Sequence, residues 1–409
     1  MLIYFITTLL VLATDSLKDY HIFQGIDYIY RENYESAQRE FDALTTIYPE
    51  DPEGFFYLSS LFETLESFTP RPETKAQLDS VADIAVRLAE RKLELEKNAY
   101  NLFYVGSTRG KRAVRRALHG DWIGCLWDGI EARRSLELAF KEDSTLLDVY
   151  MGFGLYDYYL GKYLSFIPWL RSRKLKGIDE LKMASQNGKY AKKPARFFLL
   201  RVYLLEDMDS EAMQIIKELQ QIYSTNTSLL YNEAELYYKK EEYQKAITAC
   251  THALSLSASK RPLNPRVKAS CYLMLGKSYN ELKEIEKTKA NCELAIRELN
   301  GINEDWAKEF KKEAQKLQQK SKEGKMEKEI GKVENYFTHI GVVTLRITNG
   351  TLKIGDTIHI KGVVTDFTQT VESMEIEHKK VQEAKVGDSV GIKVKERVKR
   401  HDRIYKVTE

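Results

Sequence analysis

The chain has 409 residues, 43% of them hydrophobic and 30% charged, which suits two or three folded domains with real cores. A formal net charge of +3 is nearly neutral for this length, so a nucleic-acid role would need a local patch. The four cysteines, Cys125, Cys250, Cys271 and Cys292, never stand at C-x-x-C spacing and have no histidine at a zinc-finger offset, which argues against metal or redox work.

Residues Met1 to Thr14 are almost wholly apolar. The run is shorter than the about 20 residues that a membrane helix needs, yet it suits a signal-peptide core, although no Lys or Arg precedes it. Segment 1–15 is therefore expected to be a signal peptide or anchor, with a buried first helix as the other outcome. An extracytoplasmic or membrane-anchored place follows, with the cytoplasm as the alternative.

From residue 16 to 306 the pattern is helical and carries a repeat. With Ala37 as anchor, Gly25, Tyr28, Phe41, Leu44 and Pro49 fall at the offsets of a tetratricopeptide repeat, in which small residues let helices approach and large ones fill the holes opposite. The same frame recurs on Ala246 (Leu230, Ala234, Tyr237, Cys250, Ala253) and on Gly276 (Tyr272, Leu275, Tyr279, Cys292, Ala295). A looser copy runs through Tyr203, Ala212, Ile216 and Leu219. The fold class expected is a mainly α, multidomain chain whose first part is a solenoid of antiparallel helix pairs.

Between the repeats, Asp148 to Tyr159 is crowded with aromatics and glycines. Tyr150, Phe153, Tyr156 and Tyr159 suit either helix crossings in a core or a concave surface that grips a peptide. Asp157 lies among them, and Arg171 and Arg173 follow, so these seven residues form the candidate partner groove. The stretch, with Gly177–Leu181 and Ala195–Tyr203, resembles a family of bacterial tetratricopeptide proteins that are usually exported and mostly uncharacterised. A fainter likeness is to a eukaryotic tetratricopeptide family linked to outer mitochondrial membranes. The resemblance implies a binding scaffold, no catalytic activity, no cofactor, and export.

Two motif fragments carry little. Gly276-Lys277-Ser278 ends like a phosphate loop, but Cys271 stands where that motif needs glycine, and the segment sits mid-helix in the repeat frame. Gly106-Ser107-Thr108-Arg109-Gly110 lacks a central serine and a preceding strand, so it is no nucleophile elbow.

Residues 307–329 are Lys-, Glu- and Gln-rich and read as a capping helix that runs into a linker. From 330 to 409 the period changes to two. Val342–Thr348, the Asn349-Gly350 turn and Thr351–Ile354 read as a hairpin. Gly355-Asp356 and Gly387-Asp388 mark further turns between short strands, and a closed barrel is expected because closure removes exposed edges. The phrases from Leu352 to Gly362, Asp366 to Met374 and Ala384 to Ile392 resemble the second domain of translation elongation factor Tu, and most of all the small stand-alone translation-factor-like proteins of prokaryotes. In the full factors this barrel contacts tRNA ends and ribosomal RNA, so the resemblance implies RNA as a possible partner. The likeness does not extend to the phosphate loop and GTPase domain of those factors, so it implies no GTP hydrolysis. Lys393, Lys395, Arg397 and Lys399, at alternate positions of an expected strand, would share one face and are the candidate RNA contacts.

The function expected is a non-enzymatic scaffold that binds a protein or peptide partner in the concave face of its repeats, with the barrel as an accessory binding module. The alternative is an RNA- or ribosome-associated factor that works through the barrel. Membrane association is expected only through the N-terminal segment.

Overall fold

The computed structural model describes residues 2–68, 71–258, 264–323, 326–338, 340–362, 365–377 and 379–408. Two compact units divide the chain, Met1–Ser278 with Glu293–Lys311, and Tyr279–Cys292 with Lys312–Glu409.

Helices pair in chain order: α1 (Leu2–Tyr30) with α2 (Tyr34–Ile47), α3 (Pro52–Phe68) with α4 (Pro72–Leu95), and α5 (Ala99–Leu118) with α6 (Trp122–Glu142). The series continues through α7 (Val149–Tyr163) with α8 (Arg173–Asn187), α9 (Lys192–Leu205) with α10 (Asp209–Gln220), and α11 (Thr227–Lys239) with α12 (Tyr243–Ala258). α13 (Pro265–Glu281), α14 (Ile285–Glu298) and α15 (Asp305–Glu323) follow. Each pair also packs on the next through α2–α3, α4–α5, α6–α7 and so on, which makes the tetratricopeptide-type solenoid.

The repeat frame falls where the sequence places it. Ala37, Phe41, Leu44, Ala212, Ile216, Ala234, Ala246, Cys250, Ala253, Cys292 and Ala295 are all buried. Asn98, Asp121 and Asn226 cap α5, α6 and α11, each side chain accepting a backbone N–H three residues on. Gly276-Lys277-Ser278 lies inside α13 and Gly106 inside α5, so neither forms a loop. The apolar run at the N-terminus lies on α1, and its side chains through residue 15 lie outside the described residues. No helix among the described residues is long and apolar enough to cross a membrane.

The expected linker over 307–329 is helical as far as Glu323, and strand begins at Met326; residues 324 and 325 lie outside the described residues. The C-terminal strands are β1 (Met326–Phe337), β2 (Val342–Ile347), β3 (Thr351–Lys353), β4 (Thr357–Lys361), β5 (Asp366–Thr370), β6 (Met374–Ile376), β7 (Lys379–Lys380), β8 (Glu383–Lys385), β9 (Ser389–Lys393) and β10 (Arg403–Thr408). Eight form one antiparallel sheet in the order β5-β4-β10-β1-β2-β9-β6-β7, and β3 pairs with β8 alone. Its core gathers Ile330, Val343, Leu345, Leu352, Ile358, Ile360, Val390, Ile392 and Ile404.

Two expectations need correction here. The sheet does not close into a barrel by strand pairing among the described residues: β5 meets the end of β9 through the Gln369 amide rather than through a backbone ladder. Its Nε2 donates to the Lys393 carbonyl at 2.7 Å, and its Oε1 accepts from the Lys395 N–H at 2.9 Å. The Asn349-Gly350 turn is present, with Gly350 at φ +70°, but β2 and β3 do not pair as a hairpin. Instead β3 crosses to β8, placing Leu352 opposite Ala384.

Those two strands lead into the same turn. In Lys353-Ile354-Gly355-Asp356 and in Lys385-Val386-Gly387-Asp388, the aspartate Oδ2 accepts the lysine N–H at 2.7 Å. The glycines adopt φ +92° and +98°. Lys399-Arg400-His401-Asp402 repeats the geometry, with a 2.8 Å bond and His401 at φ +74°.

Candidate partner-binding site

α7 crosses α8 with their backbones touching. A Cβ on Gly154 would stand 2.8 Å from the Gly177 carbonyl oxygen, and one on Gly177 would stand 2.7 Å from that of Gly154. The close crossing brings Asp157 of α7 against the first turn of α8. Arg173 Nη1 lies 2.6 Å from Asp157 Oδ1, and Lys176 Nζ lies 3.1 Å from Oδ2. Arg133 of α6 reaches Oδ2 at 3.5 Å while its guanidinium sits 3.9 Å over the Phe153 ring.

Asp157 is wholly buried. Burial pushes its carboxyl up, but hydrogen bonds from Arg173 and Lys176 and the Arg133 charge outweigh that and hold it below the ordinary aspartate value. Its neighbour Glu180 is pushed up to about 7, first by burial and then by the Asp157 charge. Asp157 is thus the hub of an internal charge cluster, and not a polar handle in an open groove.

The other expected groove residues separate by depth. Phe153 is buried, and Tyr150 meets it edge-on at 5.6 Å and Phe140 at 5.5 Å. Tyr156 is half-buried against Gly129. Tyr159 stacks on Tyr163 at 5.9 Å and meets Phe198 of α9 edge-on at 6.0 Å. Arg173 is held on Asp157. Arg171 is exposed and, among the described residues, has no ion pair.

Sequence reasoning missed what α1 does. Its second half lies against α9–α11, nearly two hundred residues away. Lys189 Nζ pairs with Asp19 at 2.8 Å, and Lys193 Nζ pairs with Asp27 at 2.6 Å. Tyr30 stacks on Phe197 with ring centroids 4.0 Å apart. The Glu32 carboxylate accepts the Thr227 N–H at 3.1 Å and the Thr227 hydroxyl at 3.0 Å, at the first turn of α11. No spacing in the sequence announces the pairing: Asp19 and Asp27 stand eight apart, their partners Lys189 and Lys193 four apart.

In the β module, strand ends at Lys393, so Lys395, Arg397 and Lys399 do not lie on the strand face expected for them. The Gln369 amide occupies the backbone positions that would have extended β9. Lys393, Lys395, Arg397 and Lys399 are nevertheless all exposed, with Val394 and Val398 buried between them as anchors.

Residues 341–398 match the family model of elongation factor Tu domain 2. Over 82 residues the chain is 42% identical to an uncharacterised protease of Methanocaldococcus jannaschii, an alignment that covers 20% of each protein. Over 78 residues it is 38% identical to a collagenase of Porphyromonas gingivalis, covering 19% of this chain and 22% of that one. The chain thus spans about a fifth of the length of the curated relatives it matches. Among solved structures, the C-terminal domain of a protein described as a U32 peptidase, from Geobacillus thermoleovorans, is 25% identical over 20% of this chain and 93% of that one, with a TM-score of 0.19. A tetratricopeptide repeat protein from Parabacteroides merdae is 15% identical over 73% of this chain and 99% of that one, with a TM-score of 0.35. The chain is a tetratricopeptide-type helical solenoid followed by an antiparallel β module of the elongation factor Tu domain 2 type.

Proposed function

We propose that this chain is a non-enzymatic scaffold whose helical array binds an acidic peptide segment of a protein partner, with the β module as an accessory binding module. The observation that carries the reading is an aromatic and cationic surface beside α7. Tyr159 and Phe198 are half-exposed there, and the charge of Arg201 reaches the Tyr159 hydroxyl. The Arg266 guanidinium is held below its usual range, first by burial and then by Arg201. Neither cation is ion-paired among the described residues, although the Arg266 guanidinium donates to the Ser67 carbonyl at 3.3 Å and lies 4.8 Å over the Trp306 ring. A carboxylate-bearing peptide laid there would relieve the repulsion, while the rings supply apolar contact area.

The relatives named protease and collagenase share only the C-terminal part with this chain. The shared part is the strand-built module and leaves out the helical repeats, which supports reading it as an accessory module. The exposed basic segment of the module, together with the family match, also supports a second reading in which it contacts RNA.

A peptide-display selection on the purified full chain tests the main reading. Asp- and Glu-rich sequences should be enriched, and R201E should abolish that enrichment. Selection of neutral peptides, or an unchanged selection with R201E, would overturn it. Catalytic turnover of gelatin by the purified chain would overturn the non-enzymatic part alone.

A further inference from the structure

We infer that one end of the α5–α8 region is an interfacial face that docks on an anionic lipid surface. Three of the chain's four tryptophans lie there, Trp122 being 67% exposed, Trp127 68% and Trp169 76%. α6 and α7 run antiparallel, since Gly152 abuts Leu136 and Gly129 abuts the Tyr156 ring. The start of α6, with Trp122 and Trp127, therefore shares an end with the close of α7 and the short 3-10 turn Pro168–Leu170 that carries Trp169.

A tryptophan side chain carries about 150–250 Å². At two-thirds exposure, these three alone reach the ~300–600 Å² of the largest apolar patch on an ordinary monomer. Ile123, Leu126 and Phe166, each more than half exposed, extend it. Tryptophan with flanking basic residues is the composition favoured at the boundary between lipid headgroups and acyl chains.

Charge decides the occupant. Residues 158–178 contain five Lys or Arg and no carboxylate. The acids that reach them from outside are outnumbered: Lys162 and Lys174 share Glu206, and Arg173, Lys176 and Arg133 share Asp157 and Glu180. Arg171, two residues from Trp169, is exposed and has no ion pair among the described residues. The acids at the start of α6 are engaged: Asp121 caps the helix and lies 3.7 Å from Arg116, and the buried Asp128 pairs with Arg112 and Arg116. A second copy docked through the same face would set these cations against one another, whereas an anionic bilayer complements them.

The test is co-sedimentation of the full chain with phosphatidylcholine vesicles, with and without phosphatidylserine, alongside its tryptophan emission. Binding should require phosphatidylserine, shift the emission to the blue and weaken as salt rises. The double variant W127E/W169E, which leaves the apolar run at the N-terminus intact, should lose binding and the blue shift while keeping its helical circular dichroism. R171E should weaken binding about thirtyfold, a basic residue at an anionic surface being worth roughly 1 kcal/mol and its reversal about twice that. Binding that W127E/W169E leaves unchanged would overturn the proposal and assign the attachment to the N-terminal segment. So would a blue shift that depends on protein concentration without lipid, which would assign the face to self-association.

Discussion

Gly25 of α1 lies under the Phe41 ring of α2 so closely that a Cβ at position 25 would stand 2.2 Å from Cε1. The phenyl ring occupies the volume that any side chain at position 25 would need, which is why the repeat puts its smallest residue opposite one of its largest. Gly25→Ala should therefore force the ring off its rotamer and cost about 1–3 kcal/mol, and Ala37→Leu or Ala246→Leu should cost a similar amount. Thermal unfolding measures it; unchanged midpoints would mean that the repeat frame is misplaced.

The frame was legible because the interlock of small and large residues is a local pattern with a fixed period, visible at Ala37, Ala246 and Gly276 without any partner being known. The groove was less legible. Asp157, with Arg171 and Arg173 after it, read as a polar handle of the groove, yet its cations come from sixteen to twenty-four residues away on two other helices and enclose it. Likewise Asn349-Gly350 encodes a turn with positive φ, but a turn does not name the strand that its exit will pair with. Only the register of Leu352 on Ala384 settles that.

Glu32 ties the first helix to the eleventh through the Thr227 and Ser228 N–H groups and the Thr227 hydroxyl. Glu32→Ala would leave those donors buried without an acceptor, at an expected cost of about 1–3 kcal/mol. Hydrogen exchange should locate the loss at the N-terminal turn of α11 as well as in α1. Protection lost in α1 alone would show that the clamp does not hold α11.

Glu180 gives the helical unit a specific pH dependence. Its carboxyl is raised to about 7, chiefly by burial and then by Asp157, so the folded state holds a proton there that the unfolded chain has already lost. Stability from this group is present below the ordinary glutamate range and falls as pH rises toward the raised value. Glu180→Gln should remove the fall, making the variant more stable than the parent near pH 8 by about 1–2 kcal/mol and equal to it near pH 5. Denaturant midpoints across that range measure it. Parallel curves for the two proteins would place the proton elsewhere.

The three aspartate-closed turns allow a test of backbone strain within one module. Gly355 and Gly387 meet the positive-φ requirement without cost, whereas His401 meets it with a Cβ. Gly355→Ala should destabilise by about 1 kcal/mol and His401→Gly should stabilise by up to about that amount, the residual being offset by the entropy of glycine in the unfolded chain. Opposite signs in chemical denaturation are the expected outcome. Equal signs would show that the third turn is held by other contacts than the first two.

The basic segment after β9 decides between an RNA contact and a charged surface that keeps the module soluble. Lys393, Lys395, Arg397 and Lys399 stay exposed because Val394 and Val398 anchor the backbone between them, even though the strand itself ends at Lys393. An irregular segment spreads these charges over less regular positions than one pleated face would, so they suit a flexible single strand better than the fixed phosphate spacing of a duplex. If they meet phosphates, the affinity of the full chain for single-stranded RNA should fall with salt. Each charge-neutralising change, such as Lys395→Gln or Arg397→Gln, should then lower the slope of log affinity against log salt by about 0.7. Fluorescence titration at several salt concentrations measures both quantities. A slope that Lys395→Gln and Arg397→Gln leave untouched would move any RNA contact off this segment, and binding without salt dependence would leave the four residues as surface charge alone.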